Sequence, residues 1–100
     1  MAVEKLKVKA KYFGYIKNIL NKKEEHFELE DGASLSDLLN KMAGIYGTTF
    51  KKDVYEPGLK DVKTGFSVTV NGVLMGQLGG IDAKLADGDN IILMSLMSGG

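Results

Sequence analysis

A chain of 100 residues, 44% of them apolar and 26% charged, makes one domain with a single small core and leaves no room for a two-lobed enzyme with a deep cleft. Charge balances to zero, and all thirteen basic residues are lysine; without arginine, which makes the commonest base-specific and bidentate phosphate contacts, no nucleic-acid partner is expected. There is no cysteine, so disulfides, thiolate metal sites and a cysteine nucleophile are excluded.

Residues 1–23 hold seven lysines against one acid, and the remainder holds six lysines against twelve acids. The lysine cluster reads first as a solvated sheet face and a polar helix. The first twenty residues contain no continuous apolar run, and no stretch approaches the ~20 apolar residues of a membrane span. The expectation is a cytoplasmic protein with no membrane contact.

Leu6, Val8, Ala10 and Tyr12 alternate with Lys5, Lys7, Lys9 and Lys11, the period of two that marks a half-buried strand. Ile16, Ile19 and Leu20 give helical spacing to a short helix or helical loop within 14–23. Residues 24–29 read as a second strand, closed by the turn signal Asp31-Gly32. Ser34 is an N-cap with Asp37 three residues on, a weaker relative of the capping box. Leu35, Leu38, Leu39, Met42, Ile45 and Tyr46 then form a 3.6-period stripe, and Gly47 stands where a left-handed cap would end the helix.

Residues 48–65, with the turn signal Pro57-Gly58, show no firm pattern and read as a loop with room for a helical turn. Phe66, Val68 and Val70 alternate again, and Asn71-Gly72 is a tight-hairpin signal before Val73, Leu74 and Met75. Gly79-Gly80 makes a further turn. Asp87-Gly88-Asp89 leads into Ile91, Ile92, Leu93 and Met94, the one strand-length run apolar on both faces. The order of elements predicts an α+β domain, a mixed sheet crossed by one principal helix. If the last strand lies beside the first, Ile92 and Met94 or their neighbours share the outward, lysine-bearing face. That apolar strip is then either a partner surface or covered by the insert at 48–65.

The chain resembles the MoaD/ThiS sulfur carriers and their archaeal relatives, the small archaeal modifier proteins. The resemblance rests on Lys11-Tyr12-Phe13, on Asp31-Gly32-Ala33-Ser34-Leu35 with Leu38-Leu39, and on the stretch from Val70-Asn71-Gly72 through Leu78-Gly79-Gly80-Ile81-Asp82 and Leu85-Ala86-Asp87-Gly88-Asp89 to Gly99-Gly100. It implies a ubiquitin-like β-grasp domain over 1–94 and a flexible tail over 95–100 ending in Gly-Gly. One departure is visible: the family carries prolines just before its last residues, where this chain has Ser95-Leu96-Met97-Ser98. A tail without proline is less pre-organised.

The resemblance also implies a carrier rather than an enzyme. A terminal carboxylate with a pKa near 3.5 is ionised at neutral pH and a poor electrophile. It becomes reactive when a ubiquitin-activating-type adenylyltransferase, using ATP and Mg²⁺, converts it to an acyl-adenylate. A sulfur donor then makes a thiocarboxylate, for molybdopterin biosynthesis or tRNA thiolation, or a target lysine takes it as an isopeptide. The attachment point is Gly100, with Gly99 and Ser98 in the tail and Leu96, Met97, Met94 and Ile92 at the partner interface. Six residues after Met94 reach ~20 Å, and glycines lacking a Cβ pass a narrow channel. The expected partners are the adenylyltransferase and either target proteins or a molybdopterin synthase large subunit, of which this chain would be the small subunit. The chain alone is expected to be a monomer that binds no cofactor or metal of its own.

The internal Leu78-Gly79-Gly80 reads as a turn, because cleavage there would remove the final strand. His26 has no partners at metal-ligand spacing, and Glu24, Glu25, Glu28 and Glu30 read as a solvated strand. The alternative function is a non-catalytic β-grasp interaction module with an incidental Gly-Gly end.

Overall fold

The computed structural model describes residues 5–95. The lysine-apolar alternation forms strand β1 (Lys5–Phe13), with Leu6, Val8, Ala10 and Tyr12 buried and the odd-numbered residues facing outward. Strand β2 (Glu24–Glu30) pairs antiparallel with β1, from Lys5 opposite Glu30 to Lys11 opposite Glu24. The final strand, β5 (Asn90–Ser95), lies on the other side of β1 and parallel to it, Lys9 opposite Asn90 and Phe13 opposite Met94. Strand β3 (Phe66–Val70) runs antiparallel to β5 and turns into the two-residue strand β4 (Val73–Leu74). The sheet order is β2-β1-β5-β3-β4, mixed and with the last strand beside the first, as in a ubiquitin-like β-grasp.

The hairpin between β3 and β4 uses Asn71 and Gly72 at φ 52° and 85°, the left-handed pair that a two-residue loop needs to match strand twist. The expected return strand is shorter than Val73–Met75, because Met75–Leu78 winds into a 3₁₀ turn. Met75 is thereby buried while Leu74 stays exposed. Gly79-Gly80 closes that turn with φ of +100° and +94°.

The principal helix, α2 (Leu35–Tyr46), buries Leu35, Leu38, Leu39, Met42 and Ala43. Its N-terminus is a complete capping box: the Asp37 amide donates to Ser34 Oγ, and the Ser34 amide donates to the Asp37 carboxylate. Two further free amides of the first turn find carbonyls in the 81–83 loop, Leu35 to Ala83 at 3.0 Å and Ser36 to Ile81 at 2.8 Å. All three first-turn donors are therefore satisfied, which helices otherwise leave to water.

Two helices flank it. Helix α1 (Ile16–Leu20) occupies part of 14–23. Helix α3 (Thr48–Asp53) stands where the sequence reading placed a loop. The helical turn admitted within that loop is a six-residue helix, and its extent is hidden in the sequence because within α3 only Phe50 is buried, so the segment has no apolar stripe to betray its period. Gly47 does end α2 at positive φ, but with φ 71° and ψ −143° it forms a corner shared with α3 rather than a left-handed cap.

Phe50, Val54 and Tyr55 are buried in the same core as the apolar face of α2 and the inward residues of the sheet, and α3 touches α1 and α2. The insert therefore covers the helical side of the sheet. Of the two possibilities open from sequence, the outward face is left uncovered by any other element among the described residues.

The Asp87-Gly88-Asp89 turn sets the register of β5. Its Asp87 carboxylate accepts from the Lys7 amide at 2.8 Å, and the Gly88 amide donates to the Lys7 carbonyl at 2.8 Å. Asp89 accepts through its carbonyl from the Lys9 amide at 3.0 Å, and through its carboxylate from the Ala86 amide and the Asn71 side chain. Asn71 Oδ1 in turn accepts from the Asn90 amide. The turn thus ties β1 to the β3–β4 hairpin just where β5 enters between them.

Candidate functional site

The outward face of the sheet is divided into a charged half and an apolar half. On β1 and β2, Lys5 pairs with Glu30 and Lys9 with Glu24, each at 3.0 Å, and Lys7 stands opposite Glu28. Hydrogen bonding to Glu30 raises the Lys5 pKa, and the bond from Lys9 lowers that of Glu24. These exposed pairs contribute little to stability. They do offset the positive charge of β1, so the lysine strip is not a strong basic patch.

The apolar half is built by register. Met94 lies between Phe13 of β1 and Ser67 of β3. Ile92 lies between Lys11 and Thr69, and Thr69 is opposite Leu74 of β4. Phe13 is 45% exposed, Met94 38% and Leu74 49%, with Ile92 half-buried. Tyr15, just beyond Phe13, is also exposed. The result is an apolar strip across four strands, interrupted on β3 by Ser67 and Thr69, that reaches the C-terminal end of β5 and is edged by Lys11 and Lys9.

The structure thus brings together the two predicted interface residues that it describes, Ile92 and Met94, and joins them to Phe13 and Leu74. Phe13 was legible from parity alone, since it continues the odd-numbered outward series of β1. Leu74 was legible too, since the two-residue Asn71-Gly72 loop sets Val73 opposite Val70 and Leu74 opposite the outward Thr69, although the Val73–Met75 run by itself assigns no face. Leu96, Met97, Ser98, Gly99 and Gly100 lie outside the described residues. Strand β5 runs through Ser95, which stands opposite Phe66, so pairing continues one residue past the predicted domain boundary at 94.

A polar cluster lies at the same end of the sheet. The Tyr12 hydroxyl donates to Glu25 Oε2 at 2.6 Å, the Tyr46 hydroxyl donates to the same oxygen, and Lys22 Nζ donates to Oε1 at 3.0 Å. Glu25 is therefore not part of a solvated strand, as its neighbours suggested; it is on the inward parity of β2. Burial pushes its carboxyl up, but the three donors outweigh burial and hold it below the usual range. Burial and the bond to Glu25 raise the pKa of Tyr12 and of Tyr46. The cluster joins the end of β1, the start of β2 and the last turn of α2, and so fixes the strand end that carries Phe13.

Among the described residues no group of three or more His, Asp or Glu side chains is placed to hold a metal ion, and no helix is long and apolar enough to cross a membrane. His26, on the outward parity of β2 opposite Lys9, is exposed.

Comparison with known proteins was informative at the level of family and of structure. The family model ThiS matches residues 10–100. No curated protein sequence matches the chain significantly. A candidate molybdopterin converting factor subunit 1 from Pyrococcus furiosus is similar in structure with a TM-score of 0.75 and 26% identity, covering 92% of this chain and 99% of that one. The small archaeal modifier protein 1 of Methanosarcina acetivorans gives a TM-score of 0.77 at 22% identity, over 97% of this chain and 99% of its own. Urm1 of Trypanosoma brucei gives 0.73 at 20% identity, with both chains covered completely.

Proposed function

Since the chain belongs to the ThiS family, we propose that it is a ubiquitin-like carrier whose Gly100 carboxylate is the group other enzymes act upon. The observation that carries this reading is the family match itself, which extends through Gly99 and Gly100. The apolar strip of Phe13, Ile92, Met94 and Leu74 supports it, because the strip gives a partner a place to hold the domain next to the strand that leads to Gly100.

In the proposed first step a carboxylate oxygen of Gly100 attacks the α-phosphorus of ATP on a ubiquitin-activating-type adenylyltransferase, and pyrophosphate leaves. ATP and Mg²⁺ are bound by that enzyme. In the second step hydrosulfide released by a sulfur donor displaces AMP to give the thiocarboxylate, which feeds molybdopterin formation with a synthase large subunit or tRNA thiolation. Alternatively the amine of a target lysine displaces AMP, loses a proton and forms an isopeptide. This chain contributes shape and reach, acts as a monomer in the cytoplasm, and is a substrate rather than an enzyme.

The test is removal of Gly99 and Gly100. The shortened protein is expected to keep its fold and lose adenylation; full retention of every activity would leave only a tail-independent interaction module. Mass spectrometry of the protein from its own cell separates the two outcomes of activation. Exchange of one oxygen for sulfur at Gly100 marks the sulfur carrier, and Gly-Gly remnants on lysines of other proteins mark the modifier.

A further inference from the structure

Strand β5 brings the half-buried Ser95 close against the turn at Gly14. Gly14, at φ +79°, passes so close that a Cβ built on it would lie 2.4 Å from Ser95 Oγ and 2.9 Å from the Ser95 carbonyl oxygen. The Ser95 hydroxyl donates to the Phe13 carbonyl and accepts from the Ile16 amide, each at 3.4 Å. On its other flank Ser95 stands opposite Phe66 of β3. The residue is held from the end of β1, from the start of α1 and from β3.

Both hydroxyl contacts are long and individually weak. Their effect is geometric: they converge on one side chain from a turn whose positive φ and missing Cβ allow the close approach. We infer that Ser95 is a positioning residue for the chemistry at Gly100, seated on the Gly14 turn so that it fixes the point on β5 from which the chain runs on to Gly100. The inference rests on the carrier reading above.

A root fixed before docking spares the complex the cost of ordering that residue. Without the anchor the partner must order it on binding, while the docked geometry stays the same. The expected signature is a raised KM at unchanged kcat, the mark of lost uniform binding. A merely structural role in supporting the first turn of α1 would instead lower stability and leave KM alone.

The experiment uses the full-length protein with the adenylating enzyme of its own cell, read by ATP–pyrophosphate exchange over a range of carrier concentrations. Ser95→Ala is expected to raise KM about fivefold at unchanged kcat, and Ser95→Thr, which keeps the hydroxyl, is expected to behave as the unmodified protein. In parallel, amide hydrogen exchange on the free protein should quicken at Ile16 and Ser95 in the alanine variant and not in the threonine variant. An unchanged KM for Ser95→Ala, a fall in kcat instead, or a threonine variant as impaired as alanine overturns the inference. If the unmodified protein supports no exchange at all, the carrier reading falls. The anchor is then decided by amide exchange alone, and unchanged protection at both amides overturns it.

Discussion

Replacing Glu25 by alanine tests the polar cluster that holds the end of β1. Tyr12 is 1% exposed, so without the carboxylate its hydroxyl becomes a buried donor that has lost its charged acceptor, at a cost of ~1–3 kcal/mol. The half-buried Tyr46 hydroxyl adds about 1 kcal/mol, while the exposed Lys22 adds almost nothing. The expected loss is about 2–4 kcal/mol in urea unfolding, corresponding to a fall of roughly 10–20 °C in Tm for a domain of this size. Glu25→Leu combined with Tyr12→Phe and Tyr46→Phe should recover most of it, since removing both sides of a buried hydrogen bond is far cheaper than removing one. The pH dependence has a defined sign. The Glu25 carboxyl is lowered in the folded state, so its contribution is present above the unfolded value of about 4.3 and is lost as pH falls through the lower folded value. Glu25→Gln should therefore be destabilised near neutrality and show a flatter decline below pH 4. A loss under ~0.5 kcal/mol for Glu25→Ala, or an acid limb unchanged in Glu25→Gln, would refute the reasoning.

Two further outcomes are expected. Ser34→Ala removes half of the capping box on α2 and should cost ~1 kcal/mol; a midpoint within experimental error of the original would show that Asp37 and the 81–83 loop suffice to close the helix. Phe13→Asp and Met94→Asp should each weaken capture by the adenylating enzyme about tenfold, since half-exposed side chains of this size give about 1 kcal/mol on full burial and a charge adds its own desolvation cost. Each should cost the free domain only about 1 kcal/mol, for the half of the side chain already buried, without unfolding it, and Leu96→Asp and Met97→Asp should weaken capture without unfolding the domain. A titration showing unaltered affinity removes the residue concerned from the interface.

Much of this domain was determined by local pattern. Alternation placed β1 and β3, the turn chemistry of Asn71-Gly72 placed the hairpin, and Ser34 with Asp37 placed the start of α2, because each of these is decided by residues within four positions of one another. Helix α3 was hidden for the same reason in reverse, since a helix that buries only Phe50 carries no periodic signal. The candidate site divides along the same line. That β5 was apolar on both faces could be read directly, and parity alone put Phe13 with the lysines of β1. Which side of the sheet the 48–65 insert covers and how closely Gly14 approaches Ser95 were settled only by tertiary structure. Each joins segments tens of residues apart, and register between them is fixed by hydrogen bonds such as the one the Gly88 amide donates to the Lys7 carbonyl, which leave no trace in either segment alone. Glu25 shows the distinction most sharply. In sequence it is one of a row of solvated glutamates; in the fold a single step of parity turns it inward to two tyrosine hydroxyls.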